Sequence, residues 1–541
     1  MAREVTELDD IQAILRSGFG TLGEACFLLI RITDVREAKA WLAAVANAPG
    51  AEKLPYEITH ARHLDDYQEK VLQIAFTAQG LLKLEVPGEV FPDECFEGAP
   101  GGHLHTFSPE FYFGMARGNS GEDAQLRLLG DTGENAPSKW YWGSPDHPEH
   151  MPDILIMLYA ETGGLAAFRQ MVEADLANGF EVFHTLHAAG SPGDGRPQRE
   201  PFGFIDGISQ PQIDWQGSRK PGSANDADYT NLIAAGEFLL GYPNEYNLYT
   251  YRPLVDTTRD PGNLLAPAED YPGKRDLARN GSYVVFRQLE QDVAGFWRFV
   301  SEHSHDGQGV SLAEAMVGRR LANGDPLVPA SRAAILGSGE DSEDIRQNGF
   351  VFDSDPDGLM CPFGAHIRRA NPRTGDLPGG RQGFVSKLLR ALALKRGGPR
   401  EDLLSSARFH RIIRRGRAFG SPLSRESALE GEESSSKGGI YFIALNANLS
   451  RQFEFVQNAW IVNSKFNALD GEADPLIGNR EETPLGLPTD AFTLSEPAGP
   501  SRRICGLPQF VTMRGGAYFF LPGLRAVRYI ARQSDERQEV R

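Results

Sequence analysis

The sequence predicts an α+β protein made of two ferredoxin-like (split βαβ) halves with antiparallel sheets. Three observations lead there. Short apolar runs rich in β-formers are followed by segments with helical spacing. The order is strand, helix, strand, then strand, helix, strand. The same kind of order begins again in the second half of the 541 residues. Residues 1–275 and 276–541 are the expected halves.

In the first half, "ACFLLIRITD" (25–34) is a buried strand and "VREAKAWLAAVAN" its helix. "KVLQIAFTAQGLLKL" (70–84) is a strand entering a helix. "DILIMLYAET" (153–162), "GGLAAFRQMVEADLANG" and "FEVFHTLHAAG" (180–190) give strand, helix and strand. In the second half, "GSYVVFRQLEQDVAGFWRFV" (281–300) is a strand running into an amphipathic helix. "GGIYFIALNANL" (438–449) is a strand and "SRQFEFVQNAWIV" a helix. "FVTMRGGAYFFLPG" (510–523) is a strand and "LRAVRYIARQ" the last helix. No residue-level repeat links the halves. The stretches 86–152, 213–280 and 370–408 are long and irregular, as functional loops are.

Composition excludes several classes. The net charge is 55 − 73 = −18, which repels phosphate backbones, so no nucleic-acid partner is expected. No apolar run reaches membrane-spanning length and no signal-peptide pattern opens the chain. A cytoplasmic protein without membrane contact is the expectation. The four cysteines, Cys26, Cys95, Cys361 and Cys505, form no CxxC pair and are expected as buried reduced thiols.

Three stretches bear chemistry. In "GFIDG" (203–207), Asp206-Gly207 is first of all hairpin-turn chemistry. The flanking glycines can also present Asp206 into a cavity, as a buried acid suited to proton transfer. In "CPFGAHIRRANPR" (361–373), an apolar approach to His366 meets a basic exit at Arg368, Arg369 and Arg373. A haem explains both parts, with imidazole on the iron and arginines on the propionates. The CxxCH attachment motif is absent, so such a haem would be held without thioether bonds. In "FHRIIRRGRAFG" (409–420), a basic edge strand would turn Arg414 and Arg415 to opposite sides. One of the two could enter a cavity. A buried acid, a histidine with arginines and a later arginine form the set that peroxide cleavage at haem requires.

With these stretches in hand, the sequence resembles the dye-decolorizing peroxidases, and among them the larger, elaborated subgroup. "GFIDG", "HIRRANPR" and "RIIRRGRAFG" match that family's motifs in order. "GIYFIALNANLSRQFEFVQNAW", "DPLIG" and "VTMRGGAYFFLP" are similar to its C-terminal core. The resemblance runs from about residue 20 to about residue 535. It implies a fold of the dimeric α/β-barrel type, with one non-covalent haem b per chain between sheet and helices. It implies His366 as the iron ligand, Asp206 as distal acid/base and Arg414 as distal cation, with Arg415 the alternative. Ile440 and Phe442 would form the distal wall and Arg368 a propionate contact. Asp474, or second Glu454, would accept the proximal imidazole N–H. The implied partners are hydrogen peroxide and an organic electron donor such as a dye or phenol, and a homodimer is compatible. The implied reaction is peroxide reduction through a ferryl intermediate. An aspartate has a reference pKa of about 4, so turnover is expected to favour acid pH. The rival reading is a haem carrier or sensor, which would need His366 but not Asp206 and Arg414 together. A metal-dependent hydrolase built on "GGHLH" or "DHPEH" is the weaker rival, since neither string brings a further acidic ligand.

Overall fold

The computed structural model describes residues 5–532 except 93–104, 119–120, 191–197, 219–230, 306, 331–342, 374–405, 432–436 and 484–485. Nine strands form the main sheet. They are β1 (Glu24–Ile32), β2 (Lys70–Phe76), β3 (Ile154–Ala160), β4 (Phe180–His187), β5 (Ser282–Gln291), β6 (Ile413–Arg414), β7 (Arg417–Phe419), β8 (Gly439–Asn446) and β9 (Val511–Leu521).

The order β4-β1-β3-β2 is all antiparallel, the arrangement of one split βαβ unit. Helix α1 (Val35–Val45) follows β1 and α2 (Leu165–Leu176) follows β3. Asp34 starts α1 by accepting the amides of Arg36 and Glu37, as a helix N-cap should. The second half repeats the order as β9-β5-β8, with β6 and β7 side by side on the outer edge of β8. Its second strand is therefore the basic segment 413–419, broken into two short pieces. Three arginines in these seven residues blur the period-2 alternation that marks a strand, but the basic edge strand offered by the sequence is what forms.

The halves share one sheet and meet at a single pair, Phe520 with Phe76. Their inner faces also pack on each other. Phe27 of β1 lies edge-on to Phe286 of β5 and Tyr441 of β8, with ring centres 5.3 and 5.6 Å apart. The outer edges approach where Ala189 donates its amide to Ala418 O at 2.7 Å. Among the described residues the ladder does not continue around, so the barrel expected from the resemblance is not closed.

On the outer face of the second half, α3 (Val293–Glu302) packs after β5. Ser450–Glu454 and Val456–Ile461 are wound as π-helix, a geometry that often marks functional sites. Helix α4 (His366–Ala370) is one short turn, and α5 (Leu524–Ala531) closes the described chain. No helix among the described residues is long and apolar enough to cross a membrane. Cys26 and Cys361 are buried free thiols, but Cys505 is exposed, so the expectation of burial fails there. Cys95 lies outside the described residues, as does most of 370–408.

Candidate active site

A cavity of about 270 Å³ opens between the second half's sheet and the π-wound helix. Strands β5 and β8 give it Leu289, Ile440 and Phe442, and the helix gives Phe453, Val456 and Trp460. Ile440 and Phe442 are two apart on β8 and so share a face, while Tyr441 and Ile443 turn into the core behind.

His366 lines one wall. Its Nδ1–H donates to Asp474 Oδ2 at 2.9 Å, which leaves Nε2 as the ring's remaining nitrogen. Asp474 is fully buried, and its Oδ1 accepts the amides of Leu476 and Ile477 at 2.9 and 3.0 Å. Burial alone would raise the Asp474 carboxyl; His366, Arg369 and the Ile477 amide together hold it below its usual range. Arg369, also fully buried, donates to the carbonyls of Trp460 and Glu472 at 2.8 and 3.1 Å. It thereby ties α4 to the end of the π-wound helix and to the segment carrying Asp474. Glu454, the second choice for the imidazole's acceptor, instead accepts from Gln125 and Tyr518, both at 2.8 Å.

Asp206 and Arg414 also line the cavity, Oδ1 to Nη1 at 3.2 Å. The bend around Asp206 needs backbone that only glycine adopts freely, with φ of +99° at Gly203 and +81° at Gly207. Arg414 is held by the Ile208 carbonyl at 2.7 Å, and its amide donates to Gln210 Oε1 at 2.9 Å. The sequence reading expected a buried acid, but Asp206 is part exposed: the side chains of Arg414 and Asp206 are 36 % and 32 % exposed. Arg415 turns away and donates to the carbonyls of Ile14 and Leu15 at 2.8 and 3.2 Å.

Arg368 does not line the cavity. Its guanidinium is buried against Asp355 Oδ2 at 2.9 Å and the Cys361 carbonyl at 2.7 Å. Other arginines line the cavity instead. Arg319 and Arg373 line the cavity, both over the Phe350 ring. Arg373 donates to the carbonyls of Asn348 and Phe350, both at 2.6 Å, and to Ser209 Oγ at 3.0 Å. Burial pushes the Arg319 guanidinium down to about 9, and the charges of Arg373 and Arg414 push the same way. Such a cluster of cations in an apolar cavity favours an anionic occupant. Sequence reasoning missed Arg319, for which the string "VGRRLANG" carries no signal, and passed over Arg373 for its neighbour. It also passed over His410, which lines the cavity, stacks on Phe455 at 3.7 Å and is pushed down to about 4 by burial.

No family model matches the chain. A multifunctional dye peroxidase of Amycolatopsis sp. is 30 % identical over 425 residues, 76 % of each chain. The chain belongs to the dye-decolorizing peroxidases. The dye-decolorizing peroxidase msp1 of Mycetinis scorodonius is 29 % identical over 373 residues. The alignment spans 66 % of this chain but 62 % of msp1, less than two thirds of that relative's length. Among solved structures, a fungal dye-decolorizing peroxidase from Auricularia auricula-judae superposes with a TM-score of 0.65 at 23 % identity, covering 97 % of this chain and 99 % of that one. A dye-decolorizing peroxidase in complex with 2,6-dimethoxyphenol matches equally, at 0.65 and 21 % identity, covering 97 % and 100 %. At these identities the superpositions speak for the α+β fold.

Proposed function

We propose that the chain is a haem peroxidase that reduces hydrogen peroxide and oxidises bulky organic donors such as dyes or phenols, favoured at acid pH. The observation that carries this reading is the pairing across one cavity of His366–Asp474 with Asp206–Arg414. A carrier or sensor needs only the first pair.

The residues present fit one non-covalent haem b. The walls are largely apolar, His366 offers Nε2, and four arginines, Arg319, Arg373, Arg411 and Arg414, bring positive charge to the cavity. His366 would hold the iron, and Arg319 and Arg373 the propionates in place of Arg368. Bound haem supplies a redox-active iron that accepts two oxidising equivalents from peroxide and hands them on one electron at a time. Asp474 fixes the imidazole's tautomer and raises its basicity. Asp206 takes a proton from the inner peroxide oxygen and delivers it to the outer oxygen, which leaves as water. Arg414 stabilises the negative charge that grows on the leaving oxygen. Ile440 and Phe442 keep bulk water from this side. Residues 1–275, with Asp206, and 276–541, with His366 and Arg414, are read as the two contributing halves.

The test is an absorption spectrum of the haem-loaded protein before and after rapid mixing with hydrogen peroxide. A stoichiometric spectral change that reverses on adding 2,6-dimethoxyphenol supports the reading. A spectrum that only bleaches would favour the carrier.

A further inference from the structure

The loop that carries Asp206 is folded around a second carboxylate. Glu200 lines the same cavity, and among the described lining residues Glu200 and Asp206 are the two acids. Glu200 Oε1 accepts the Phe204 amide at 2.9 Å. Oε2 accepts the Phe202 amide at 3.0 Å and Gln291 Nε2 at 2.9 Å. The backbone of Glu200 closes the same turn. Its amide donates to the Phe204 carbonyl at 2.9 Å and its carbonyl accepts from Gly203 at 2.7 Å. One residue thus holds both strands of the bend that leads into Asp206.

Glu200 can carry either charge state without losing a partner. Burial pushes its carboxyl up to about 7; the three donors oppose this and the charge of Asp206 adds to it. Gln291 Oε1 is buried with no hydrogen-bond partner. Rotating that carboxamide by half a turn replaces the Nε2 donor with an acceptor for a protonated Glu200. The charged and titratable groups around this point come from several segments. Asp206 and Arg199 belong to the loop itself, and Arg199 is spent on the carbonyls of Gly203, Leu321 and Ala322. Arg414 enters from β6, Arg319 and Arg373 from the segments beside Phe350, and His366, His410 and Arg411 from the far walls. Strand β5 contributes the neutral Gln291, and Asp292 beyond it caps α3.

We propose that Glu200 is a positioning residue for the distal acid/base: its carboxylate shapes the loop that aims Asp206, and its own change of charge alters the field in which Asp206 works. This rests on the role proposed above for Asp206. Below about pH 7 Glu200 is neutral, and above it a second negative charge stands on the same wall of the cavity, opposing the negative charge that grows on the leaving oxygen.

The experiment compares haem-loaded wild type, Glu200→Gln, Glu200→Ala and Asp206→Asn. The first readout is the pH dependence of the bimolecular rate with hydrogen peroxide. The second is the infrared carboxyl band of the resting protein titrated between about pH 6 and pH 8. Glu200→Gln keeps one acceptor for the loop amides and cannot ionise. It should retain the low-pH rate, lose the limb near neutrality, and differ from wild type by about three- to tenfold at pH 8. Glu200→Ala should slow the step at every pH, with Gln restoring most of what Ala loses. The titrating band should be present in wild type and in Asp206→Asn and absent in Glu200→Gln. If the Glu200→Gln profile superimposes on wild type while Asp206→Asn is slow, this proposal alone falls. If Asp206→Asn reacts as fast as wild type, the reading of Asp206 falls and this one with it.

Discussion

His366 and Asp206 face one cavity, yet the two side chains are held in opposite ways. Behind His366 stands a fully buried carboxylate with three donors on it, and behind that Arg369, fully buried and bonded to main-chain carbonyls of two segments. Asp206 sits on a glycine-flanked bend lining the cavity, with a partly exposed Arg414 as its partner. The first arrangement fixes a ligand's direction through a rigid network, which a metal-binding imidazole needs. The second suits the proton carrier proposed for Asp206, which must stay in reach of solvent and substrate. The cost of a fault should therefore differ. Damage behind His366 should show first in what the protein binds, and damage around Asp206 in how fast it reacts.

The largest effect is expected at His366→Ala, which should abolish the haem absorption band on titration of the purified protein with haem. Asp474→Asn should retain haem but weaken its binding or the peroxide rate by about ten- to a hundredfold. Equal loss in both variants would mean that Asp474 is structural and not a tuner of the imidazole. On the other wall, Arg414→Leu should leave haem binding intact and slow the peroxide step by about a hundred- to a thousandfold, as loss of one preorganised cation does. Arg415→Leu should leave that step nearly unchanged, since its guanidinium serves the Ile14 and Leu15 carbonyls. The reverse result would place the wrong arginine in the cavity.

The two walls were not equally legible in the sequence. The strands and helices of the first half follow from apolar runs and helical spacing, because ordinary core packing produces those patterns. The three motifs pointed at His366, Asp206 and Arg414 because each puts a functional side chain in a local context that packing alone does not ask for. Arg368 misled because adjacency to His366 in sequence says nothing about direction on a one-turn helix; the residue was drawn inward by Asp355. Arg319 was invisible because its role arises only from tertiary neighbours, Phe350, Arg373 and Arg414. Glu200 stood in plain view, three residues before "GFIDG" begins, but a carboxylate that bonds its own loop leaves no periodic trace.

Arg368→Met separates structure from chemistry. The Arg368–Asp355 pair is buried on both sides, and removing one partner strands the other charge. A loss of about 3–5 kcal/mol in unfolding free energy is expected, with the haem band unchanged once the protein is folded. A loss of haem without loss of stability would restore Arg368 as a cofactor contact.

The smallest effect compares two acids near the proximal wall. Asp474 is held low because its partner is an imidazole, so the stability it contributes is present above its unfolded pKa and is lost only as strongly acid pH is reached. Glu454 has neutral partners, Gln125 and Tyr518, and burial together with the nearby Glu110 pushes it up to about 7. The folded state therefore binds the Glu454 proton more tightly than the unfolded chain does. Its contribution is fully present below the unfolded value of 4.5 and is lost as pH rises through about 7. Above that, the shift corresponds to about 3 kcal/mol of lost stability. Glu454→Gln keeps an oxygen for both donors and removes the charge. It should melt like wild type near pH 4 and a few degrees higher at pH 8, as scanned by calorimetry in the two buffers. Equal melting temperatures at pH 8 would mean that Glu454 ionises as freely in the folded protein as in the unfolded chain, and that the helix wall behind the cavity is wetter than its packing implies.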